Sequence, residues 1–247
     1  MEETQSGLSI DYLRETVRRK FSIPESKDKK NIGLELELYP FKKTESGDIS
    51  TMDIINEKLR GSYDLLYSNS LCICSLFEQD KKLAIPRLNS KSGGIITFEP
   101  GGQIEYSSSA ETVLSSVIEQ LITNISELEQ ILKKDNAGFF FGGMNPWHSV
   151  EKVGLKMNKP RYQAMDQYFK AIGPYGQQMM RLSASLQVNL DFGSPDVAAL
   201  RWKASNLIAP IFCAMFGNTP FFNSKATGLK SYRTKIWQHL DPSRTGF

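Results

Sequence analysis

The sequence predicts an α+β fold, a mainly antiparallel sheet with helices packed on one face, and three observations predict it. Apolar and polar residues alternate with a period of two over 32–39 and again over 94–99 and 103–109, the pattern of strands with one buried face. The second and third runs are joined only by Pro100-Gly101-Gly102, a turn too short for anything but an antiparallel hairpin. A helical period then takes over in the next stretch, so strands come grouped with helices between the groups. A chain of 247 residues with 40% apolar and 11% aromatic residues can fill a sizeable core, which excludes disorder as its main state.

Taken in chain order, residues 6–22 read as a short amphipathic helix, and Glu25-Ser26-Lys27-Asp28-Lys29-Lys30 as a polar linker. We therefore expect two parts: 1–30, helix and linker, and 31–247, the main domain. In the strand at 32–39, Ile32, Leu34, Leu36 and Leu38 share one face. The apolar run 71–77 suits a buried strand. After the hairpin, Val113, Leu114, Val117, Ile118, Leu121, Ile122, Ile125, Leu128, Ile131 and Leu132 keep helical spacing, with Ser108 and Glu111 as a capping box. A second helix is expected from Arg161 to Ile172, then a long alternating strand over 182–192. A last helix opens at Ser194-Pro195, carries Pro210 inside it, and ends near Gly217-Asn218.

Charge is nearly balanced, with 30 Lys+Arg against 27 Asp+Glu, so there is no basic footprint for nucleic acid. Three cysteines, Cys72, Cys74 and Cys213, are too few for a disulfide framework and fit a reducing compartment. Cys72-x-Cys74 has no second ligand pair for zinc. The polar opening is no signal peptide, and the apolar stretch 207–216 is about half a membrane span. A cytoplasmic protein without membrane contact is expected.

The chemistry concentrates on strand-borne acids. Glu35 and Glu37 lie two apart on one strand and so project from one face; Thr97 with Glu99, and Gln103 with Glu105, repeat the arrangement. Carboxylates gathered on one sheet face repel one another unless a cation neutralises them, and Mg²⁺ accepts such oxygen ligands together with substrate phosphates. On 182–192, Ser183, Ser185, Gln187, Asn189 and Asp191 form a polar face able to hydrogen-bond a polar ligand, opposite Leu186, Val188 and Leu190, which we expect to be buried under helices. His148 and His239 have no triad or metal-pair spacing and read as structural; Phe139-Phe140-Phe141 reads as a buried strand and Met179-Met180 as core or pocket wall.

Five blocks, in order, resemble one family. Gly33-Leu34-Glu35-Leu36-Glu37 resembles the G-x-E-x-E opening of the plant and proteobacterial type of glutamate–cysteine ligase. Phe98-Glu99-Pro100-Gly101-Gly102-Gln103-Ile104-Glu105-Tyr106-Ser107 resembles its E-P-G-G-Q-x-E signature, and Arg161-Tyr162 with Met165 its R-Y-x-x-M segment. Met179-Met180 with Gln187-Val188-Asn189-Leu190-Asp191-Phe192, and Tyr232-Arg233…Trp237 with Asp241-Pro242-Ser243-Arg244-Thr245-Gly246, complete the series. Together they cover about residues 31–247 and do not separate the glutathione branch from the ergothioneine relatives.

The resemblance implies the glutamine synthetase and guanido kinase type of antiparallel sheet. It implies ATP as co-substrate and Mg²⁺ as metal: ATP phosphorylates the γ-carboxylate of glutamate, and the amine of cysteine displaces phosphate to give γ-glutamylcysteine. By the same resemblance Glu35, Glu37, Glu99 and Glu105 match metal positions, Gln187 and Asn189 substrate-binding positions on the active-site strand, and Arg161 and Arg233 the catalytic and substrate-binding arginines. Members of the family continue well beyond the R-T-G block. That implies a domain incomplete at its C-terminal end, with self-association as a consequence of uncovered edges, and leaves open a non-catalytic metal- or ligand-binding or interaction module of the same fold.

Overall fold

In the computed structural model, which describes residues 9–21, 30–51, 77–79, 88–133, 136–157 and 159–245, the twelve-residue strand β1 (Ile32–Lys43) organises the sheet. Its first half is flanked by β8 (Leu186–Leu190) and β6 (Ile104–Ser107) on opposite sides, since Glu35 pairs with Gln187 on one and Ser107 on the other. Its second half pairs with β7 (Ala137–Phe140) and β2 (Ile49–Thr51). Beyond β6 the order continues through β5 (Ile95–Phe98), β4 (Leu88–Ser90) and β3 (Phe77–Gln79). All these pairings are antiparallel, giving an eight-stranded sheet among the described residues, and β9 (Phe221–Phe222) with β10 (Lys225–Ala226) forms a separate small hairpin.

Alternation sorts the two faces as expected. Leu34, Leu38, Ile96, Phe98, Ile104 and Tyr106 are buried on one face, where all but Leu34 join Ile125, Leu128 and Leu132 of α2 (Leu114–Lys133) in the main core. Each fully buried Leu, Ile or Phe contributes about 1.5–3 kcal/mol, so this strip anchors the strands that carry the acids. The turn end of the β5–β6 hairpin is closed by α4 (Pro160–Ile172) and α5 (Tyr175–Leu182). Gly101 is required there, because a Cβ would stand 2.2 Å from the Arg181 carbonyl oxygen. An ion pair between buried Arg181 and Asp166 ties the two helices together. A second core, Met144, Val150, Val153, Leu182 and Ile236, seats α3 (Val150–Val153) and α7 (Tyr232–Gln238). Trp147 packs edge-on to Phe140, with ring centroids 4.8 Å apart, and against Phe41.

Three expectations change. The strand expected over 182–192 is only Leu186–Leu190, because helix α5 runs through Leu182, whose side chain is fully buried in the second core. Apolar residues at 182 and 186 satisfy both a period of two and a helical i, i+4 spacing, so periodicity did not separate them. Leu186, Val188 and Leu190 are on the expected face but 61%, 59% and 63% exposed rather than buried. The Ser108–Glu111 capping box does not form: the helix begins at Leu114, and Ser108 Oγ instead accepts the Leu34 amide at 2.9 Å.

The helix at 6–22 is α1 (Ile10–Phe21), while 25–29 and the 71–76 part of the expected strand, with Cys72 and Cys74, lie outside the described residues. The long helix α6 (Pro195–Phe216) starts where expected, Ser194 accepting the Val197 amide, and contains Pro210. Only Ala198 of it is buried. A last short helix, α8 (Pro242–Thr245), follows Asp241, whose carboxylate accepts from Ser243 and from the Tyr168 hydroxyl. No helix among the described residues is long and apolar enough to cross a membrane.

Candidate active site

The polar face of the sheet carries the acids, and register places them. Glu37 on β1 stands directly opposite Glu105 on β6, which in turn stands opposite Thr97 on β5. Glu99 follows Thr97 by two and Glu35 precedes Glu37 by two, so all four carboxylates belong to one face. Three of the four are held by neutral donors. Glu105 Oε1 accepts from Thr97 Oγ1 at 3.0 Å and Ser107 Oγ at 3.3 Å, and Glu35 Oε1 accepts from Asn189 Nδ2 at 3.1 Å. Glu37 accepts from the Ser185 side chain. Gln187 stands across from Glu35 and Asn189 across from Gly33, so both expected polar residues of β8 are on this face. Ser183 is not: it is buried, its hydroxyl bonded to the Met179 carbonyl.

Beneath the acids lies a buried polar contact. Gln103 Nε2 donates to the Ser183 carbonyl at 2.8 Å and to the Tyr39 hydroxyl at 3.2 Å, which fixes the β5–β6 hairpin against the end of α5. Alternation put Gln103 beside Glu105, and the structure keeps it there but covers it completely. Tyr39 was readable from the same alternation, two places after Glu37, though nothing marked it as buried.

Electrostatics separate the four acids. Burial pushes the Glu99 carboxyl up to about 7, reinforced by the charges of Glu105 and Glu37 and opposed by Arg161 and Lys159. Glu37 is raised too, first by burial and then by Glu105, with Ser185 and Arg233 working against the shift. Glu105 thus acts on both Glu37 and Glu99, and Glu37 on Glu99, while Glu35 is held at the β8 side by Asn189. Among the described residues no group of three His, Cys, Asp or Glu side chains forms a ready-made cation cage. The donor set nonetheless fits a hard cation that takes one or two carboxylates and fills its remaining positions with phosphate and water oxygens: the acids offer oxygen only and gather on one face.

The two arginines stand at the starts of two helices. Arg233, on α7, is half-buried; burial lowers its pKa while Glu37 and Tyr39 draw it back up. Its Nε is buried without a hydrogen-bond partner among the described residues. Ser231 caps α7 through the Thr234 amide, and Thr219 Oγ1 accepts the Arg233 amide at 3.1 Å, so the helix start is fixed. The guanidinium lies 5.7 Å from the Trp237 ring. Arg161, on α4, is exposed, stacks on the Tyr162 ring at 4.7 Å and donates to its hydroxyl. Lys159, which acts on Glu99 beside Arg161, was not singled out from sequence; the signal available was its place in Lys159-Pro160-Arg161.

His148 is buried as expected, bonded to Asn145 and the Ile49 carbonyl, Met180 is core, and His239 is exposed; of the run expected as a buried strand, Phe139 is buried in β7, but Phe141 lies past its end and is 55% exposed. Asp241 and Arg244 of the R-T-G block form an ion pair at the start of α8. A cavity of about 1330 Å³ opens beside Glu37, Ser185 and Arg233, and its far wall is apolar, with Leu121, Phe212 and Phe216.

Residues 31–247 match the family model of glutamate-cysteine ligase family 2. The chain belongs to that family. It is 30% identical over 241 residues to the chloroplastic glutamate–cysteine ligase of Medicago truncatula, covering 96% of this chain and 43% of that protein. With the Arabidopsis thaliana enzyme of the same name it shares 30% identity over 228 residues, 90% of this chain and 40% of the relative. The Brassica juncea enzyme gives 29% over 223 residues, 90% and 41%. This glutamate-cysteine ligase family member thus spans about two-fifths of the length of these relatives.

Proposed function

We propose that the acid face binds ATP and glutamate for the ligase reaction: phosphorylation of the glutamate γ-carboxylate, then displacement of phosphate by the amine of cysteine to give γ-glutamylcysteine. One observation carries this reading: burial and the neighbouring Glu105 charge raise the proton affinity of both Glu37 and Glu99 on a face where Arg233, with a buried Nε unpartnered among the described residues, faces Glu37. Carboxylates gathered on one face and a nearby guanidinium suit a ligand that carries both a metal-bound polyphosphate and a carboxylate.

Glu35, Glu37, Glu99 and Glu105 would hold Mg²⁺, which when bound supplies charge neutralisation at the phosphates. Thr97 and Ser107 both bond Oε1 of Glu105, which leaves Oε2 as its ligand-facing oxygen. Arg233, close enough to act on Glu37, would grip an anionic group with its planar fork of donors. Arg161, being exposed, swings in from α4 and partners Glu99 or the substrate. Gln187 and Asn189 on β8 would line the glutamate end. No side-chain nucleophile is needed, because the attacking amine belongs to the substrate; positioning and charge do the work.

A second reading, a metal- or ligand-binding module without turnover, is favoured by the lack of a preformed carboxylate cage among the described residues. Cysteine-dependent phosphate release from ATP and glutamate separates the two. Turnover that disappears in Arg233→Ala and Glu105→Gln supports the ligase. Binding of Mg²⁺–ATP by calorimetry with no phosphate release supports the module and rejects the first reading.

A further inference from the structure

We propose that Tyr39 is a positioning residue of the acid face: with Gln103 it forms a side-chain rung past the end of the β1–β6 ladder, and that rung sets how far Glu37 stands from Glu99 and Glu105. The proposal rests on the reading of this face as a site for a cation with ATP, and its test separates the two.

Register places the rung. Backbone pairing of β1 with β6 runs from Glu35–Ser107 to Leu38–Ile104 and puts Glu37 opposite Glu105. From Tyr39 onward β1 pairs with β7 instead, Tyr39 standing opposite Phe140. Continued by one residue, the β1–β6 register sets Tyr39 opposite Gln103, on the face of Glu37 and Glu105. The backbone ladder has ended there, and the side chains meet in its place: Gln103 Nε2 donates to the Tyr39 hydroxyl at 3.2 Å. On its other side Gln103 faces Glu99, whose amide donates to the Gln103 carbonyl at 2.9 Å, one step past the Phe98–Ile104 pair of β5 and β6. Tyr39, Gln103 and Glu99 form the rung that follows Glu37, Glu105 and Thr97.

The Gln103 amide is oriented by its neighbours. The Ser183 carbonyl, 2.8 Å from Nε2, can only accept, so the nitrogen end lies between Ser183 and Tyr39. The Tyr39 oxygen is then the acceptor, and its own proton points away from Gln103. Glu37 and Arg233 both lie near enough for their charges to act on this phenol.

The surroundings of Tyr39 speak against a packing role. It is 4% exposed, yet it belongs to neither apolar core. Phenylalanine would fill much the same volume, and a buried hydroxyl costs free energy unless it is bonded. Tyr106 is the contrast. It sits in the main core on the opposite face of β6, its hydroxyl on the Gly93 carbonyl at 3.1 Å.

Electrostatics give the rung its work. Glu37, Glu99 and Glu105 share a face, and like charges there repel. Since β1 stops pairing with β6 one residue past Glu37, the backbone resists that push least at this end. A hydrogen bond across the gap holds the oxygens at one spacing, as a cation with Mg–O distances of about 2 Å requires.

The test compares Tyr39→Phe with Tyr106→Phe, which also removes a buried hydroxyl but on the far face. Mg²⁺–ATP affinity is read by calorimetry and stability by thermal melts. Tyr39→Phe should weaken Mg²⁺–ATP about five- to tenfold, the worth of one hydrogen bond, while Tyr106→Phe leaves it unchanged. Gln103→Leu should weaken it by a like factor. The double variant should lose no more than either single one, because the two residues make one rung. In phosphate release, the KM for Mg²⁺–ATP should rise with the KM for cysteine unaltered. Wild-type affinity in Tyr39→Phe, with a melting temperature lowered as in Tyr106→Phe, overturns the proposal and leaves Tyr39 a structural residue. So does additivity of the two single losses. If Gln103→Leu does not fold, the comparison of Tyr39→Phe with Tyr106→Phe decides alone. A wild-type chain that binds no Mg²⁺–ATP overturns the acid-face reading and this proposal with it. Binding without phosphate release removes only the ligase chemistry, and the same ranking of affinities then decides the rung.

Discussion

Glu99 is the residue whose behaviour depends most on its neighbours. Its carboxyl has a pKa of about 7 in the fold against 4.5 when free. A raised carboxyl takes up a proton on folding, so its unfavourable effect is absent below about pH 4.5 and grows as pH rises through 7. In chelator, the denaturation midpoint should therefore fall between pH 5 and 8, and Glu99→Gln should flatten that slope. A slope unchanged by Glu99→Gln would mean that the carboxyl ionises freely. Glu105 gives a second prediction at this scale. Thr97→Ala removes one of the two donors on Oε1 and should weaken Mg²⁺–ATP binding several-fold, by about 1 kcal/mol, with little change in melting temperature. Equal affinities by calorimetry would show that the hydroxyl does not orient the acid.

At the scale of elements, the hairpin turn and the α7 cap are the sensitive joints. Gly101→Ala would drive a methyl to 2.2 Å from the Arg181 carbonyl oxygen, a backbone atom that cannot swing aside, so something must move; a loss of several kcal/mol is expected. Gly47→Ala, which meets nothing within 4 Å and pays only for its φ of +87°, should cost about 1 kcal/mol. Thermal melts that rank these two the other way would refute the close-approach argument. Ser231→Ala removes the cap on the Thr234 amide and should cost about 1 kcal/mol, loosening the helix that carries Arg233. What sequence revealed at this scale was local. The alternation of Leu34, Glu35, Leu36, Glu37 and Leu38 names both faces of β1 without reference to the rest of the chain, and the Pro100-Gly101-Gly102 turn places Glu99 near Glu105. Leu182 misled because its spacing suited strand and helix equally. The openness of Leu190 was unreadable, since burial depends on what covers a strand and not on the strand's own pattern.

Across the whole molecule, the meeting of Arg233 with Glu37 is the feature that no local pattern could give. The two lie at opposite ends of the chain and are brought together by the second core, where Ile236 and Leu182 pack against Met144; only the family resemblance pointed to it. The acid face, by contrast, was readable because one sheet with a single hydrophobic side leaves little choice about the other. The chain matches about two-fifths of its plant relatives, so we expect slow cysteine-dependent phosphate release from the 247 residues alone and faster release from a chain of the relatives' length. Equal turnover of the two would show that the acid face suffices.

The three tryptophans occupy three different surroundings. Trp147 is wedged between Phe41 and Phe140, Trp237 lies beside the Arg233 guanidinium, and Trp202 stands 71% exposed on α6. Their emission should differ accordingly, Trp147 in the blue and Trp202 in the red. The molecule thus carries its own optical channels. An anion arriving at Arg233 alters the field on the Trp237 indole, covering α6 shifts Trp202 toward the blue, and Trp147 stays constant until the sheet itself comes apart. Replacing any two by phenylalanine leaves a single-colour readout of the site, of the open helix or of unfolding.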